Sequence, residues 1–214
     1  MNYLLSALIG YFLGSIPTGY LIRKYFKGID IREKGTGDVG AMNSYEVSQS
    51  KFLEIIIFLI DALKGLLSVY IVLLLLPLDF IFPGLALLFA ILSHCFNPWI
   101  KFKGGRGLAT AAGGLILLFP YLLAVWITLW VIFYLMKKDV IFSNVSATIM
   151  SLILIFSTVK IASKYTFPQS ESEAMVILFS TSVLIIIFIK HIEPLKEIFK
   201  NSKILIKDNH DEKN

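Results

Sequence analysis

The chain has one cysteine, Cys95, and only three histidines, His94, His191 and His210. A single thiol excludes an intrachain disulfide and a cysteine-based structural zinc site. The histidines stand at no metal-ligand spacing, and His210 lies in the tail, so no metal and no cofactor are expected. No serine sits in a G-x-S-x-G turn, which removes that route to a serine nucleophile. No basic stretch precedes the first apolar run, so that run reads as a retained span and not as a cleaved signal. Charged residues are scarce, at 16%.

In their place is hydrocarbon. Apolar residues make up 57% of the 214, and mean hydropathy is +0.77. Several nearly uncharged runs approach the length that crosses a bilayer, which argues against a soluble fold. We expect an all-α integral membrane bundle in a bacterial cell membrane, multi-pass. One polytopic domain would fill residues 1–200, with a charged, disordered cytoplasmic tail over 201–214. The runs place spans at 3–22, 52–76, 80–99, 108–118, 120–136, 140–160 and 174–192. Taken as one helix, 108–136 would be about 43 Å long, too long for an upright span. A break near Phe119-Pro120 leaves a first piece of only about 16 Å, which makes the fourth span short.

Charge separates the topologies. The net charge is +5 and the pI about 9.2. With seven spans and the N-terminus outside, seventeen of the twenty basic residues fall in cytoplasmic segments. Lys160 and Lys164 alone lie outside, and Lys64 is within a span. Six spans would move Lys137, Lys138 and the tail lysines outward, against the positive-inside rule. The C-terminus is therefore expected in the cytoplasm. The basic residues are not interleaved with exposed aromatics, so no nucleic-acid partner is expected; the surrounding partner is membrane lipid.

Two glycine-rich segments then share the cytoplasmic side. Lys103-Gly104-Gly105-Arg106-Gly107 puts two cations beside amides that glycine can expose, just before a helix starting at Leu108. That combination suits phosphate. The alternative is a tight basic turn that serves topology alone. Gly35-Thr36-Gly37-Asp38-Val39-Gly40 matches G-x-G-x-x-G, but no strand precedes it and no βαβ unit fits between spans, so a dinucleotide site is rejected. It is either a binding segment, with Thr36 and Asn43 as hydrogen-bonding groups, or a connecting loop. Asp61 and Lys64 are i,i+3 partners inside a span, read equally as a structural strut or as part of a site. His94 and His191 end their spans at the same membrane face. Pro17 kinks or bends the first span.

Taken in order, these segments resemble the bacterial integral-membrane glycerol-3-phosphate acyltransferases that use acyl phosphate as donor. The resemblance runs through Gly14-Ser15-Ile16-Pro17-Thr18-Gly19, Gly35 to Asn43, Asp61 to Gly65, His94 to Pro98, Phe102 to Thr110, and His191. It implies transfer of an acyl group from acyl phosphate to the sn-1 hydroxyl of glycerol 3-phosphate, giving lysophosphatidic acid. His191, Thr36 and Asn43 would be catalytic, His191 acting as a base or orienting the substrate. Lys103, Gly104, Gly105, Arg106, Gly107, Gly37, Gly40, His94 and Lys64 would bind substrate, the second glycine segment taking the glycerol phosphate. An acyl-phosphate-producing enzyme at the cytoplasmic face is a candidate partner.

The chain departs from the family pattern at Asp38 and Glu46, carboxylates where an amide and a guanidinium are expected, and at Pro194, where an Asn is expected. A unit charge 4 Å from an anion matters by about 4 kcal/mol at an effective dielectric near 20. Two other functional classes stay open, the second on the membrane signal alone. One is a weakened paralogue that only binds acyl phosphate or phospholipid. The other is a small polytopic transporter.

Overall fold

A computed structural model of the protein describes residues 1–28 and 50–196. Among them there is helix and no strand. The helices are α1 (Asn2–Gly14), α2 (Thr18–Lys27), α3 (Lys51–Leu75), α4 (Ile81–Cys95), α5 (Leu108–Leu118), α6 (Pro120–Lys137), α7 (Val140–Ala162) and α8 (Glu173–Ile189). Five helical stretches are long and apolar enough to cross a membrane, with α1 and α2 counted together. Helices α5 and α8 are apolar but shorter.

The first span does not merely bend at Pro17: it breaks. Helix α1 stops at Gly14, and Pro17 caps α2 with a non-helical backbone. In a low-dielectric medium the carbonyls freed by such a break need donors. The Ser15 hydroxyl donates to the Phe12 carbonyl at 2.9 Å. The Asn97 carboxamide donates to the Ser15 carbonyl at 2.6 Å, and Lys64 Nζ donates to the Ile16 carbonyl at 2.8 Å. The break is thus bound to α3 and to the segment after α4.

Small residues set the helix spacing. Ser6, Gly10 and Gly14 recur every four residues on the buried face of α1. A Cβ added at Gly10 or Gly14 would run into the Ala86 or Ala90 carbonyl of α4. Helices α3 and α5 approach in the same way: a Cβ on Gly65 would meet the Thr110 carbonyl, and one on Gly113 the Ala62 carbonyl. Close backbone approach of this kind replaces the hydrophobic driving force that helices lack in lipid.

The break expected near Phe119-Pro120 is present. Helix α5 has 11 residues, α6 begins with Pro120, and Phe119 between them is non-helical. Helix α5 is too short to cross alone, and its last turn is closed from another part of the chain: the Phe167 N–H donates to the Leu118 carbonyl at 2.8 Å. The loop after α7 therefore reaches in to meet the end of the short helix.

Helix α6 is hardly buried at all. What fixes it is a row of polar contacts to α7. Tyr121 OH donates to Thr158 Oγ1 at 3.2 Å, Trp126 Nε1 to Thr148 Oγ1 at 3.1 Å, and Trp130 Nε1 to Asn144 Oδ1 at 2.7 Å. In an apolar surround such bonds hold a helix that contributes little to the core.

Candidate active site

Antiparallel packing brings several helix ends to one end of the bundle: the C-terminal turn of α4 with His94, the start of α5, the first turns of α7 with Asn144, and the end of α8 with His191. A cavity of about 630 Å³ opens there and runs between α3, α5, α6, α7 and α8. Its walls are of two kinds. Glu54, Asp61, His94, Arg106 and Asn144 supply polar groups, and Gly107 and Leu108 bring the start of α5 to the wall. Leu115, Leu122, Trp126, Ile127, Trp130 and Leu184 are among the apolar residues that make up most of the rest. The volume is in the range of small-molecule sites, and the division of the walls suits an amphiphile.

The segment 97–107 is built to place Arg106. Asn97 organises it: Asn97 Oδ1 accepts from the Trp99 N–H at 3.1 Å, and its carbonyl accepts from the Phe102 N–H at 2.8 Å. Lys101 and Phe102 both take the left-handed conformation. The Gly105 N–H donates back to the His94 carbonyl at 3.2 Å. Gly107 has φ +81° and caps α5. Arg106 emerges 9% exposed on the cavity wall, and Lys103 is exposed. A guanidinium beside the N-terminal amides of an 11-residue helix is a favourable setting for an anion.

This changes the reason for the glycines. The sequence suggested amides laid open to phosphate, but the amides of Lys103 and Gly105 are spent inside the chain, on the Ile100 and His94 carbonyls. Gly104 and Gly105 are needed because they lie against the end of α4. A Cβ on Gly104 would meet the His94 and Cys95 carbonyls, and one on Gly105 would meet the His94 imidazole. Cys95 is buried and lies where a Cβ on Gly107 would go, so it fills a small core position.

The remaining expected residues divide. Lys64 is buried, ion-paired with Asp61 at 2.6 Å and bonded to the Ile16 carbonyl. It is absent from the cavity wall, so of its two readings the strut is the one its geometry favours. Asp61 does reach the wall and faces His94 Nδ1 at 3.8 Å. His191 is 1% exposed and stands behind the wall: Asn144 Nδ2 lies 3.2 Å from its Nε2, and its Nδ1 lies 2.8 Å from the Ile187 carbonyl. Pro194 brings no side-chain donor, and the carboxamide at His191 comes from α7. Thr36, Gly37, Gly40 and Asn43, like Asp38 and Glu46, lie outside the described residues.

Sequence reasoning missed Asn144, Glu54 and Trp130. The signal for Asn144 was available, since it is an amide inside an apolar run, a setting where polar groups bear on function. Among the described wall residues none carries a hydroxyl or a thiol. No group of three or more His, Cys, Asp or Glu side chains could hold a metal ion among the described residues.

Fold and site together define an integral-membrane helical protein with a cavity suited to an amphiphile with an anionic head. The comparisons make this specific. The family model described as glycerol-3-phosphate acyltransferase matches residues 4–201. A glycerol-3-phosphate acyltransferase of Fusobacterium nucleatum is 32% identical over 181 residues, 84% of this chain and 90% of that one. One of Pelagibacter ubique is 35% identical over 198 residues, 92% and 94% of the two chains. Among solved structures, PlsY (YgiH), an integral membrane glycerol 3-phosphate acyltransferase, superposes in its glycerol 3-phosphate form with a TM-score of 0.76 at 26% identity, covering 94% of both chains. Its lysophosphatidic acid form superposes with a TM-score of 0.74, covering 94% of this chain and 93% of that one. The chain belongs to the glycerol-3-phosphate acyltransferase family, and with it to the membrane acyltransferases of lipid synthesis. The transporter reading is set aside.

Proposed function

We propose that the protein transfers a fatty acyl group from acyl phosphate to the sn-1 hydroxyl of glycerol 3-phosphate, yielding lysophosphatidic acid and inorganic phosphate. The observation that carries this is the cavity itself. Arg106 and the α5 N-terminus line the same cavity as Leu115, Leu122, Trp126 and Leu184. The first suit a phosphate and the second a hydrocarbon chain.

An acyl phosphate is a mixed anhydride with a good leaving group. The hydroxyl oxygen bonds to the acyl carbon, the acyl–oxygen bond to phosphate breaks, and phosphate departs with the electron pair. The hydroxyl proton passes to a phosphate oxygen or to water. No acyl-enzyme is required, in keeping with a described wall that has no Ser, Thr or Cys. The protein contributes alignment and charge stabilisation. Arg106 and His94 on the wall serve the phosphate, and Lys103, exposed in the same segment, is assigned to it by the resemblance. Thr36, Gly37, Gly40 and Asn43 are assigned to the same substrate by the resemblance. His191 acts as an orienting group: both of its ring nitrogens are within hydrogen-bonding distance of protein atoms. Purified protein should release inorganic phosphate and lysophosphatidic acid in equal amounts. Product formed without phosphate release would rule out this donor.

Seven crossings, an outside N-terminus and a cytoplasmic site follow from the charge distribution. Residues 1–200 form the membrane domain, and 201–214 are the cytoplasmic tail in a bacterial cell membrane. An acyl-phosphate-producing enzyme would deliver its product at that face. Glu171 is exposed in the loop before α8. On a Cys95→Ala background, Glu171→Cys should react with an impermeant maleimide added to intact cells. Labelling only after the cytoplasmic face is opened would overturn this orientation.

A further inference from the structure

Asn144 is 5% exposed, lies on the cavity wall, and has both ends of its carboxamide fixed. The indole N–H of Trp130 can only donate, so the atom it meets at 2.7 Å must be Oδ1. That turns Nδ2 toward His191 Nε2, 3.2 Å away. The Ile187 carbonyl can only accept, so the histidine proton sits on Nδ1, 2.8 Å from it. Nε2 then has a lone pair that accepts from Asn144. The backbone is held as well: the Asn144 carbonyl accepts from Thr148 Oγ1 at 2.7 Å, and that hydroxyl accepts from Trp126 Nε1. Every group in the array is held by an identified neighbour. One hydrogen on Asn144 Nδ2 remains, at the wall of the cavity.

We propose that Asn144 is a catalytic residue that donates its second amide hydrogen to the acyl carbonyl oxygen, with His191 and Trp130 as its positioning residues. The placement fits the carbonyl in particular. It is the atom group where an acyl phosphate changes from hydrocarbon to anion, and Asn144 shares the cavity wall with the indole it holds, Trp130, and with the guanidinium of Arg106. When the hydroxyl adds to the acyl carbon, negative charge grows on that oxygen. A donor fixed in advance, in a surround that excludes water, stabilises that charge without reorganising. His191 thereby gains a role that needs no proton transfer: its neutral Nδ1–H form points the amide.

The proposal rests on the acyltransferase reading, and the test separates the two. The probe is a non-transferable acyl phosphonate with a ¹³C carbonyl, bound to the purified full-length protein and observed by infrared difference spectroscopy. Asn144→Asp keeps the shape but removes both donors, and Asn144→Ala removes the carboxamide. The carbonyl stretch should lie at lower frequency in the wild type and return toward its free value in both variants. Turnover should fall about a hundredfold in kcat, as for removal of a single oxyanion donor, with KM for glycerol 3-phosphate changed less than about threefold. A probe that binds the folded variants with an unshifted carbonyl difference overturns the Asn144 assignment and leaves the acyltransferase reading standing. A probe that does not bind the wild type overturns the reading beneath it.

Discussion

Arg106→Gln is expected to lower kcat/KM for glycerol 3-phosphate by about a hundredfold, mostly through KM. Arg106 is the guanidinium on the cavity wall, next to the first turn of α5. A hydrogen bond to a charged group is worth about 1.5–3 kcal/mol, and each 1.4 kcal/mol is about tenfold in affinity. Glutamine keeps much of the stem, so packing is retained while the charge is lost. Arg106→Lys keeps the charge without the planar fork and should stay within about tenfold of the wild type. Steady-state kinetics with varied glycerol 3-phosphate separates the outcomes. If KM is unchanged in the glutamine variant, the guanidinium is not at the phosphate.

The second large effect concerns Gly104 and Gly105, where one added methyl group has different consequences at neighbouring positions. At Gly104 it meets the carbonyls of His94 and Cys95, which belong to the end of a helix and cannot yield. Gly104→Ala should therefore lose folded protein, by an overpacking cost of about 1–3 kcal/mol or more. At Gly105 the obstacle is the His94 ring, a side chain that can turn. Gly105→Ala should keep most of its thermal stability and lose activity by about tenfold or more, because the ring on the cavity wall is displaced and Arg106 shifts with it. Melting temperature and kcat/KM measured on both variants make the comparison. Equal melting temperatures for the two would show that the glycines are not packing against α4 in the manner described.

Much of the frame was legible in the chain. Hydrophobic runs delimited the helices to within a few residues, and Pro120 marked the break after α5, because proline cannot continue a helix and length alone ruled out one span. The Asp61–Lys64 pair was readable from its i,i+3 spacing. What it is for was not. Pro17 marked a disturbance in the first span, but Lys64 bonds to the carbonyl of Ile16, 48 residues away, and nothing local joins the two. The glycine segment was found, with a different explanation. Local composition indicates that glycine is needed but cannot say whether the space goes to a ligand or to the protein's own helix. The Asn144–His191 contact joins residues 47 apart on different helices, so only packing reveals it. Asp38 and Glu46 were readable as departures, and they lie outside the described residues, so their bearing on the site stands as an expectation from sequence.

The central claim is that one cavity, with Arg106 on its wall and apolar side chains over most of the rest, brings an acyl phosphate to glycerol 3-phosphate. The most direct measurement is product formation by the purified, monodisperse protein given both substrates and nothing else. The account predicts lysophosphatidic acid acylated at the sn-1 position, at a rate that saturates in each substrate and falls in Arg106→Gln. Folded wild-type protein that binds both substrates and forms no lysophosphatidic acid would contradict it.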